Sequence, residues 1–328
     1  MGSMTDQPAA QAAPVGDHDL AGSLAGAAGR LLLGVRDELG FTHPRTLKDT
    51  GDLRSHEYLL RELAARRPGD AVLSEEGRAA ASAKRGKGDD RAPTGNTSDE
   101  VRLAAHRVWI VDPLDGTREF AEEGRADWAV HVALWEKGAP GEKGRLAAGA
   151  VALPAQGRTL RTTSEGAVDE PSDGGPAVPL KVAPPEPGRI RVAVSRSRPP
   201  EFLDALADRL AVSGIAVERV PIGSAGAKIA AVVLGEVDAY VHAGGQYEWD
   251  SAAPVAVALA AGAHVSRISG EPPAYNRKDP WLPDILVCHP VSAPTLLTGI
   301  RDVSAGGKCS PYPSERGGTA PAPGCSPG

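Results

Sequence analysis

One stretch limits what this chain can fold into more than any other. The apolar run Val108 to Val111 leads into the segment 112–117, which reads Asp-Pro-Leu-Asp-Gly-Thr. The run predicts a short buried strand, and Pro113, which lacks an N–H group, predicts that the strand stops at Asp112. The following Gly-Thr pair predicts the start of a helix. Two carboxylates, Asp112 and Asp115, are therefore expected on a tight strand-to-helix turn.

Such a turn suits two kinds of ligand. Carboxylates suit a hard cation, and free amides at a helix start suit an anion such as phosphate, so together they suggest a metal-assisted phosphate site. The same residues also fit ordinary turn chemistry, in which Asp115 simply caps a helix. Other parts of the chain bear on this choice, because Glu75-Glu76 and Asp250 also follow apolar runs.

If folding gathers these carboxylates, protonation or bound cations must relieve their repulsion. Two or three Mg2+ ions fit best, since all the available ligands are oxygens and no His/Cys cluster suits zinc. A pair of metal ions can activate water and steady the leaving oxygen of a phosphate ester. The pattern therefore favours a metal-dependent phosphatase.

Length and charge set broader limits. The 328 residues predict about two domains, and the net charge of -6 argues against a nucleic-acid binder. A phosphate substrate stays compatible with that charge, because bound divalent ions can invert the local field. No apolar run reaches the roughly 18 residues of a membrane span, no signal-peptide pattern is present, and three cysteines form no disulfide framework. A cytoplasmic enzyme that uses no membrane is expected.

The chain divides into four predicted segments: a disordered tail at 1–16, an N-terminal α+β metal-binding domain at 17–186, a C-terminal α/β domain at 187–304 and a disordered tail at 305–328. In the first half we expect helices at 17–39 and 52–67, a strand at 71–74, a long polar loop at 78–104 and strands at 127–135, 145–153 and 158–163. Residues 164–188, rich in Pro, Gly and acidic side chains, predict the domain boundary.

The second half alternates strands with helices, which predicts a sheet covered by helices. The expected strands are 190–194, 215–220, 237–241, 264–266 and 285–288. The expected helices are 201–211, 225–234, 250–261 and 293–302. The fold class is therefore α/β, or α+β when the first half is included.

These motifs, in this order, resemble the inositol monophosphatase superfamily of lithium-sensitive, Mg2+-dependent phosphomonoesterases. The resemblance rests on the segment 112–117 and on the later Trp-Asp-Ser-Ala-Ala at 249–253. Further motifs at 73–76, 115–120, 194–197 and 222–228 are similar to the 3'(2'),5'-bisphosphate nucleotidase branch in its actinobacterial form. The similarity covers roughly residues 20 to 302 and implies a layered α/β/α/β/α sandwich.

The resemblance implies a specific metal centre. Glu75, Asp112 and the backbone carbonyl of Leu114 would hold one ion, and Asp112, Asp115 and Asp250 a second. A weaker third ion would use Glu75 and water.

It also implies catalytic residues. Thr117, oriented by Asp52, would help to activate the attacking water, with Glu75 as the third member of this group. Asp52 departs from the family pattern, because Lys-Asp-Thr-Gly at 48–51 replaces the usual Ser-Pro-Val-Thr, and a helix cap is its alternative role. Glu76 would support the metal ligands from outside, and His242 and His264 are expected to be structural.

Eight residues are implied to contact the substrate, with alternatives for three of them. Ser195 and Ser224 could cap helices instead, and Lys228 could be a solvated helix residue. The full set is Asp115, Gly116, Thr117, Ser195, Arg196, Ser224, Lys228 and Asp250.

The branch resemblance implies hydrolysis of a small-molecule phosphate ester, adenosine 3',5'-bisphosphate, to AMP and phosphate in support of sulfate assimilation. Hydrolysis of inositol 1-phosphate or fructose 1,6-bisphosphate is the alternative within the family. A haloacid-dehalogenase phosphatase is disfavoured, because its two aspartates are separated by one residue and these by two. A non-catalytic nucleotide sensor would have lost an acidic ligand, and none is lost. Dimers are usual in the family, so a homodimer is allowed.

Overall fold

The computed structural model describes residues 15–77, 97–196 and 199–306. Its helices are α1 (Asp17–Leu39), α2 (Pro44–Arg66), α3 (Asp99–Ala104), α4 (Thr117–Phe120), α5 (Leu203–Ala211), α6 (Ala225–Val233), α7 (Glu248–Ala260) and α8 (Ala293–Gly306). Its strands are β1 (Ala71–Ser74), β2 (Arg107–Asp115), β3 (Ala129–Glu136), β4 (Arg145–Leu153), β5 (Arg158–Thr162), β6 (Ala167–Pro171), β7 (Val178–Leu180), β8 (Arg189–Ser195), β9 (Ala216–Ile222), β10 (Ala239–Tyr247), β11 (His264–Ser266) and β12 (Trp281–Cys288).

The strands form two sheets. The larger has the order β1-β2-β3-β4-β5-β6-β7, with β1 and β2 parallel and every later pair antiparallel. The smaller has the order β11-β12-β10-β8-β9, in which β10, β8 and β9 are parallel and β12 is antiparallel to its neighbours. Sequence-adjacent strands are therefore neighbours through most of the first half, whereas crossovers connect the parallel strands of the second.

The helices and strands form five layers, and three clusters of buried apolar side chains hold these layers together. Helices α1 and α2 cover one face of the larger sheet, and α6 and α7 fill the space between the two sheets. Helices α5 and α8 cover the outer face of the smaller sheet. This is the α/β/α/β/α sandwich that the resemblance implied. The middle cluster joins residues from both halves of the chain, such as Val151 of β4 and Tyr240 of β10.

Strand β2 is longer than expected. It continues through Pro113 to Asp115, so the prediction that it ends at Asp112 was wrong. Its parallel partner β1 stops opposite Val111, and the register with β3 shifts between Asp112 and Asp115. Pro113 therefore sits in a bulge, where no ladder bond requires its missing N–H. Ser55 of α2 donates a hydrogen bond of 2.7 Å to the Pro113 carbonyl and holds the bulge.

Several boundaries also differ from those expected. Helix α2 begins at Pro44, which suits a first helical turn because its N–H would be unpaired there anyway. Asp52 consequently lies inside the helix, and its alternative role as a helix cap was wrong. Residues 99–104 of the expected polar loop form α3, and residues 78–96 lie outside the described part of the chain.

The segment proposed as a domain boundary contains two strands. β6 and β7 extend the edge of the larger sheet within residues 164–188. The four-part division into domains stays a prediction. The expected tails at 1–16 and 305–328 fall almost wholly outside the described residues, although α8 continues to Gly306.

No helix in the described ranges is long and apolar enough to cross a bilayer.

Candidate metal centre and substrate cleft

The turn from β2 to α4 is built around Gly116. Its φ of 84° lies in the left-handed region, and a Cβ atom there would stand 2.8 Å from Cβ of Ser224. Glycine is therefore required both by the backbone and by the close approach of α6. Asp112 Oδ1 accepts a hydrogen bond of 3.0 Å from the Leu114 amide, and Thr117 Oγ1 donates one of 3.2 Å to the Leu114 carbonyl. These bonds fix the two aspartates at the start of α4.

Three carboxylates meet at this turn. Asp112, Asp115 and Asp250 each offer an oxygen, and these oxygens lie within 4.8 Å of one another. Asp250 belongs to the first turn of α7, where its carboxylate accepts a hydrogen bond of 2.5 Å from the Tyr247 amide. Residues 135 positions apart in the chain are thus brought to one point, because α7 packs on β2, β3 and β4.

Burial and mutual repulsion perturb this cluster strongly. Burial, followed by the charges of Glu75, Asp115 and Asp250, raises the pKa of Asp112 well above its usual value. Burial, followed by Asp115, raises the pKa of Asp250 to about 7. Glu75 follows β1, and burial and the charge of Asp250 raise its pKa to about 8. The carboxylates therefore need cations to be stably ionised together at neutral pH.

Asp115 behaves differently from its neighbours. Burial acts to raise its pKa, but the charge and hydrogen bond of His131 and the Gly226 amide outweigh burial, and the pKa is lowered. The Gly226 amide donates to Asp115 at 2.6 Å and the Ala225 amide at 3.3 Å. Asp115 thus caps α6 from across the cleft and ties the larger sheet to the helix layer between the sheets.

His131 contacts Asp115 and the backbone next to Asp250, and so connects these two members of the carboxylate cluster. It lies on β3 directly opposite Asp112, and its side chain is fully buried. Nε2 stands 3.3 Å from Asp115 Oδ2, and Nδ1 stands 3.0 Å from the Trp249 carbonyl, next to Asp250. Burial lowers the pKa of His131, but Asp115 raises it by more, so the net shift is upward.

The remaining expected catalytic residues lie near the cluster. Asp52 points from α2 into this region, and burial, followed by the charge of Glu76, raises its pKa to about 7. The charge of Asp52 also helps to raise the pKa of Glu75, so the two carboxyls lie close enough to interact. Burial, followed by Asp49, raises the pKa of Glu76 as well. Thr117 hydrogen-bonds the Leu114 carbonyl in this structure.

A cleft of about 410 Å3 opens beside the cluster. That volume is in the range of small-molecule sites. All eight expected substrate residues line it, together with Arg118, Glu119, Gly223, Ala225, Tyr240, His242, Gly244, Gly245, Gln246, Tyr247 and Trp281.

The expected substrate residues differ in their burial and in the protein groups that they contact. Ser224 caps α6 by accepting from the Ala227 amide at 2.8 Å, so capping is one of its functions. Lys228 is buried with 4% of its surface exposed, and the alternative of a solvated helix residue was wrong. Arg196 bridges to Glu119 and Glu122. Ser195 ends β8 at the edge of the cleft.

Sequence reasoning missed several residues at the site. His131 was missed because a histidine inside an apolar strand gives no motif, and only the fold brings it to Asp115. Asp127 was also missed, because a single aspartate outside any motif gives no signal. Its carboxylate accepts a hydrogen bond of 2.6 Å from the Gly223 amide and so holds the turn before α6. Tyr247 and Trp281 form an edge-on aromatic pair, 5.4 Å between ring centres, on the cleft wall. Their spacing in the chain carries no signal.

Comparison with known proteins identifies the family. The model of the inositol monophosphatase family matches residues 35–302. This chain belongs to the inositol monophosphatase family.

A Mycobacterium leprae protein named 3'-phosphoadenosine 5'-phosphate phosphatase is 50% identical over 88% of this chain and 94% of its own length. The Escherichia coli 3'(2'),5'-bisphosphate nucleotidase CysQ is 30% identical over 70% of this chain and 80% of its own. The crystal structure of CysQ from Bacteroides thetaiotaomicron superposes with a TM-score of 0.61 at 26% identity, over 82% of this chain and 96% of that chain. The layered fold is therefore that of the family.

The site also fits the chemistry of the family, which is metal-dependent. All side-chain donors in the cluster are carboxylate oxygens, the ligands that hard divalent cations prefer. Asp112 and Asp115 are buried and Asp250 is half-buried, and the pKa values of Glu75, Asp112 and Asp250 are raised. A bound cation would offset both causes of those shifts, which are first the burial of the carboxyls and then their mutual repulsion.

Proposed function

We propose that this chain is a Mg2+-dependent phosphatase that removes the 3'-phosphate of 3'-phosphoadenosine 5'-phosphate and releases AMP and phosphate. The observation that carries the proposal is the cluster of Asp112, Asp115 and Asp250, the first two of them buried, beside a polar cleft, in a chain that is 50% identical over 88% of its length to a phosphatase of that name. The match covers 94% of the length of that relative.

The metal ligands are proposed as follows. Asp112, Asp115, Asp250, Glu75 and the Leu114 carbonyl would hold two or three Mg2+ ions. When bound, Mg2+ supplies Lewis-acid chemistry for phosphate-ester hydrolysis. The acid–base balance of the cluster supports this assignment, because the carboxyls repel one another without cations.

The chain's own groups would bind and orient the substrate. The Gly116 and Thr117 amides at the start of α4 are suited to hold the scissile phosphate. The Thr117 hydroxyl, oriented by Asp52, is proposed to align the attacking water, and the Glu75 carboxylate is proposed to take up its proton. Ser195, Arg196, Ser224 and Lys228 line the same cleft, and we assign them to the nucleotide.

The proposal also covers the cellular role, the location and the assembly of the enzyme. The cell would use the enzyme to clear the by-product of sulfate assimilation, in the cytoplasm and without nucleic acid polymers or membranes as partners. A homodimer is the proposed assembly.

One experiment tests the substrate. Phosphate release is measured with Mg2+ from 3'-phosphoadenosine 5'-phosphate, inositol 1-phosphate and fructose 1,6-bisphosphate, each with and without lithium. The bisphosphorylated nucleotide is expected to give the highest kcat/KM, and lithium to inhibit. A preference for inositol 1-phosphate would move the chain to another branch of the family.

A second experiment tests the chemistry. If water attacks directly, no phosphorylated enzyme accumulates, and mass spectrometry during turnover finds Asp112 unmodified. Detection of a phosphorylated Asp112 would instead indicate a nucleophilic aspartate of the haloacid-dehalogenase type.

A further inference from the structure

Among the described residues, three cationic side chains line the cleft, and they differ in how many hydrogen bonds and ion pairs they already make with the protein. They are Arg118, Arg196 and Lys228. A substrate with two phosphates needs a cation for the phosphate that is not hydrolysed, because the proposed metal site would serve only the other one. The local partners of each cation indicate which of the three is available.

Lys228 is committed to the protein. Its ammonium donates to the carbonyls of Gly223 and Ile222 and lies 5.4 Å from the ring centre of Tyr240. Burial lowers its pKa, against the opposing charges of Asp115 and Glu119. Its contacts fix the start of α6 and balance the carboxylates beneath the cleft.

Arg196 is also largely neutralised. Nη1 lies 2.9 Å from Glu119 Oε1 and 3.1 Å from Glu122 Oε2, so one guanidinium meets two carboxylates. That group of three carries a net charge of -1 and does not attract an anion by itself. The ion pairs do connect the end of β8 to α4 across the cleft.

Arg118 is in a different position. It is the second residue of α4, directly after Thr117, and its side chain is exposed where it lines the cleft. Within residues 15–77, 97–196 and 199–306, no hydrogen bond or ion pair engages its guanidinium, whereas the other two cleft cations are engaged. With respect to that part of the chain, it is thus a charged group at the rim whose five N–H donors are all available.

We propose that Arg118 binds the 5'-phosphate of the substrate and so sets the preference for bisphosphorylated nucleotides. The inference rests on the proposed function. A guanidinium pairs with a phosphate through two parallel hydrogen bonds, and it stays charged at every relevant pH. Its neighbour Thr117 belongs to the turn assigned to the scissile phosphate, so one short helix serves both ends of the substrate. Lys228, which the sequence suggested for this role, supports the site from beneath.

The test compares substrates that differ only in the distal phosphate. Arg118→Gln is expected to lower kcat/KM for 3'-phosphoadenosine 5'-phosphate roughly 10- to 100-fold, mainly through KM. Adenosine 3'-monophosphate lacks the 5'-phosphate, so its kcat/KM should change less than about twofold. AMP carries the 5'-phosphate alone, and its inhibition constant should rise along with KM. Arg118→Lys, which keeps the charge, should recover part of the loss.

Arg45→Gln is the matched control, because it removes the same charge from a side chain that is 96% exposed in the first turn of α2. It should leave all three constants unchanged, and thermal unfolding shows whether each variant is folded. Equal losses on the bisphosphate and the monophosphate, or no loss on either, would overturn the role of Arg118. Failure of the wild-type enzyme to prefer the bisphosphate would instead refute the proposed function.

Discussion

Asp115 and Asp250 both belong to the carboxylate cluster, but they differ in what else they hold. Asp250 accepts from one amide within its own helix turn. Asp115 accepts from the Gly226 and Ala225 amides and faces His131, so it also fastens α6 to the larger sheet. The sequence predicts the same role for both residues, as ligands of one metal ion, but their hydrogen-bond partners in the structure differ.

Asp250→Asn should therefore give a folded protein that has lost turnover by orders of magnitude. The amide keeps the shape but removes a charged ligand from the proposed metal site, and it also reduces like-charge repulsion. Phosphate release and thermal unfolding measure the two effects. Turnover at the wild-type level with ordinary Mg2+ would rule out Asp250 as a ligand.

Asp115→Asn should add a loss of stability of roughly 1–3 kcal/mol, because one amide group cannot accept everything that the carboxylate accepts. Denaturant unfolding of the two asparagine variants, side by side, checks the difference. If Asp115→Asn is as stable as Asp250→Asn, the bonds to α6 contribute little.

His131 is expected to position Asp115 relative to Asp250. Its two nitrogens contact Asp115 and the Trp249 carbonyl, both acceptors, and Gly226 leaves room for the ring, since a Cβ there would lie 2.0 Å from Nε2. Residues that orient metal ligands typically matter 10–100-fold, so His131→Asn should raise the Mg2+ concentration for half-maximal activity by about that factor. His264→Asn, which removes a bond to Ser266 away from the cluster, is the control and should have no effect.

At the scale of secondary structure, α4 is a four-residue helix that depends on α1. Arg36 of α1 donates to the backbone carbonyls of Glu119, Phe120, Glu122 and Arg125, at distances between 2.8 and 3.1 Å. Its guanidinium also lies over the rings of Phe120 and Trp128. A helix this short has little stability of its own, so the cap at its C-terminal end fixes its N-terminal end at the substrate cleft.

Arg36→Met should cost about 3 kcal/mol of unfolding free energy, at the upper end for single substitutions, because the carbonyls lose their donors. It should also lower kcat/KM, since the Gly116 and Thr117 amides would lose their fixed position. Arg30→Met, an exposed change on the same helix, is the control. Unchanged stability in Arg36→Met would mean that α4 is held by its apolar contacts alone.

At the scale of the whole molecule, the carboxylate cluster makes the stability of the folded protein depend on pH and on bound metal. Glu75 and Asp250 have pKa values of about 8 and about 7 in the folded protein, above the usual carboxyl range. The folded state therefore binds these protons more tightly than the unfolded state. Without metal, the stability from this source is complete below about pH 4 and is lost as pH rises through about 7 to 8.

The metal-free protein should accordingly have a higher Tm at about pH 5.5 than at about pH 8. Mg2+ binds the deprotonated carboxylates, so it should raise Tm more at about pH 8 than at about pH 5.5. Calorimetry in EDTA and in Mg2+ measures both trends, and Asp250→Asn should weaken them. A metal-free Tm that rises with pH over this range would show that other groups dominate the linkage.

The sequence by itself determined the local elements that have strong patterns. The limits of α1, β1 and β4 were predicted at the residues observed, because their apolar periodicity and flanking glycine and polar residues are local signals. The Asp-Pro-Leu-Asp-Gly-Thr turn and the later Trp-Asp likewise carry their chemistry in consecutive residues, so the family and the acidic residues of the cluster could be named in advance.

The tertiary structure decided what depends on contacts between distant segments. Pro113 can lie within β2 because β1 ends opposite Val111, and His131 lies at Asp115 because β3 pairs with β2 in one register. The cationic residues of the cleft could be named from the sequence. Whether each one is neutralised depends on which carboxylates and carbonyls the fold places next to it. Lys228 is engaged by carbonyls of the turn before its own helix, whereas Arg196 is engaged by carboxylates from the first half of the chain, and Arg118 is left exposed.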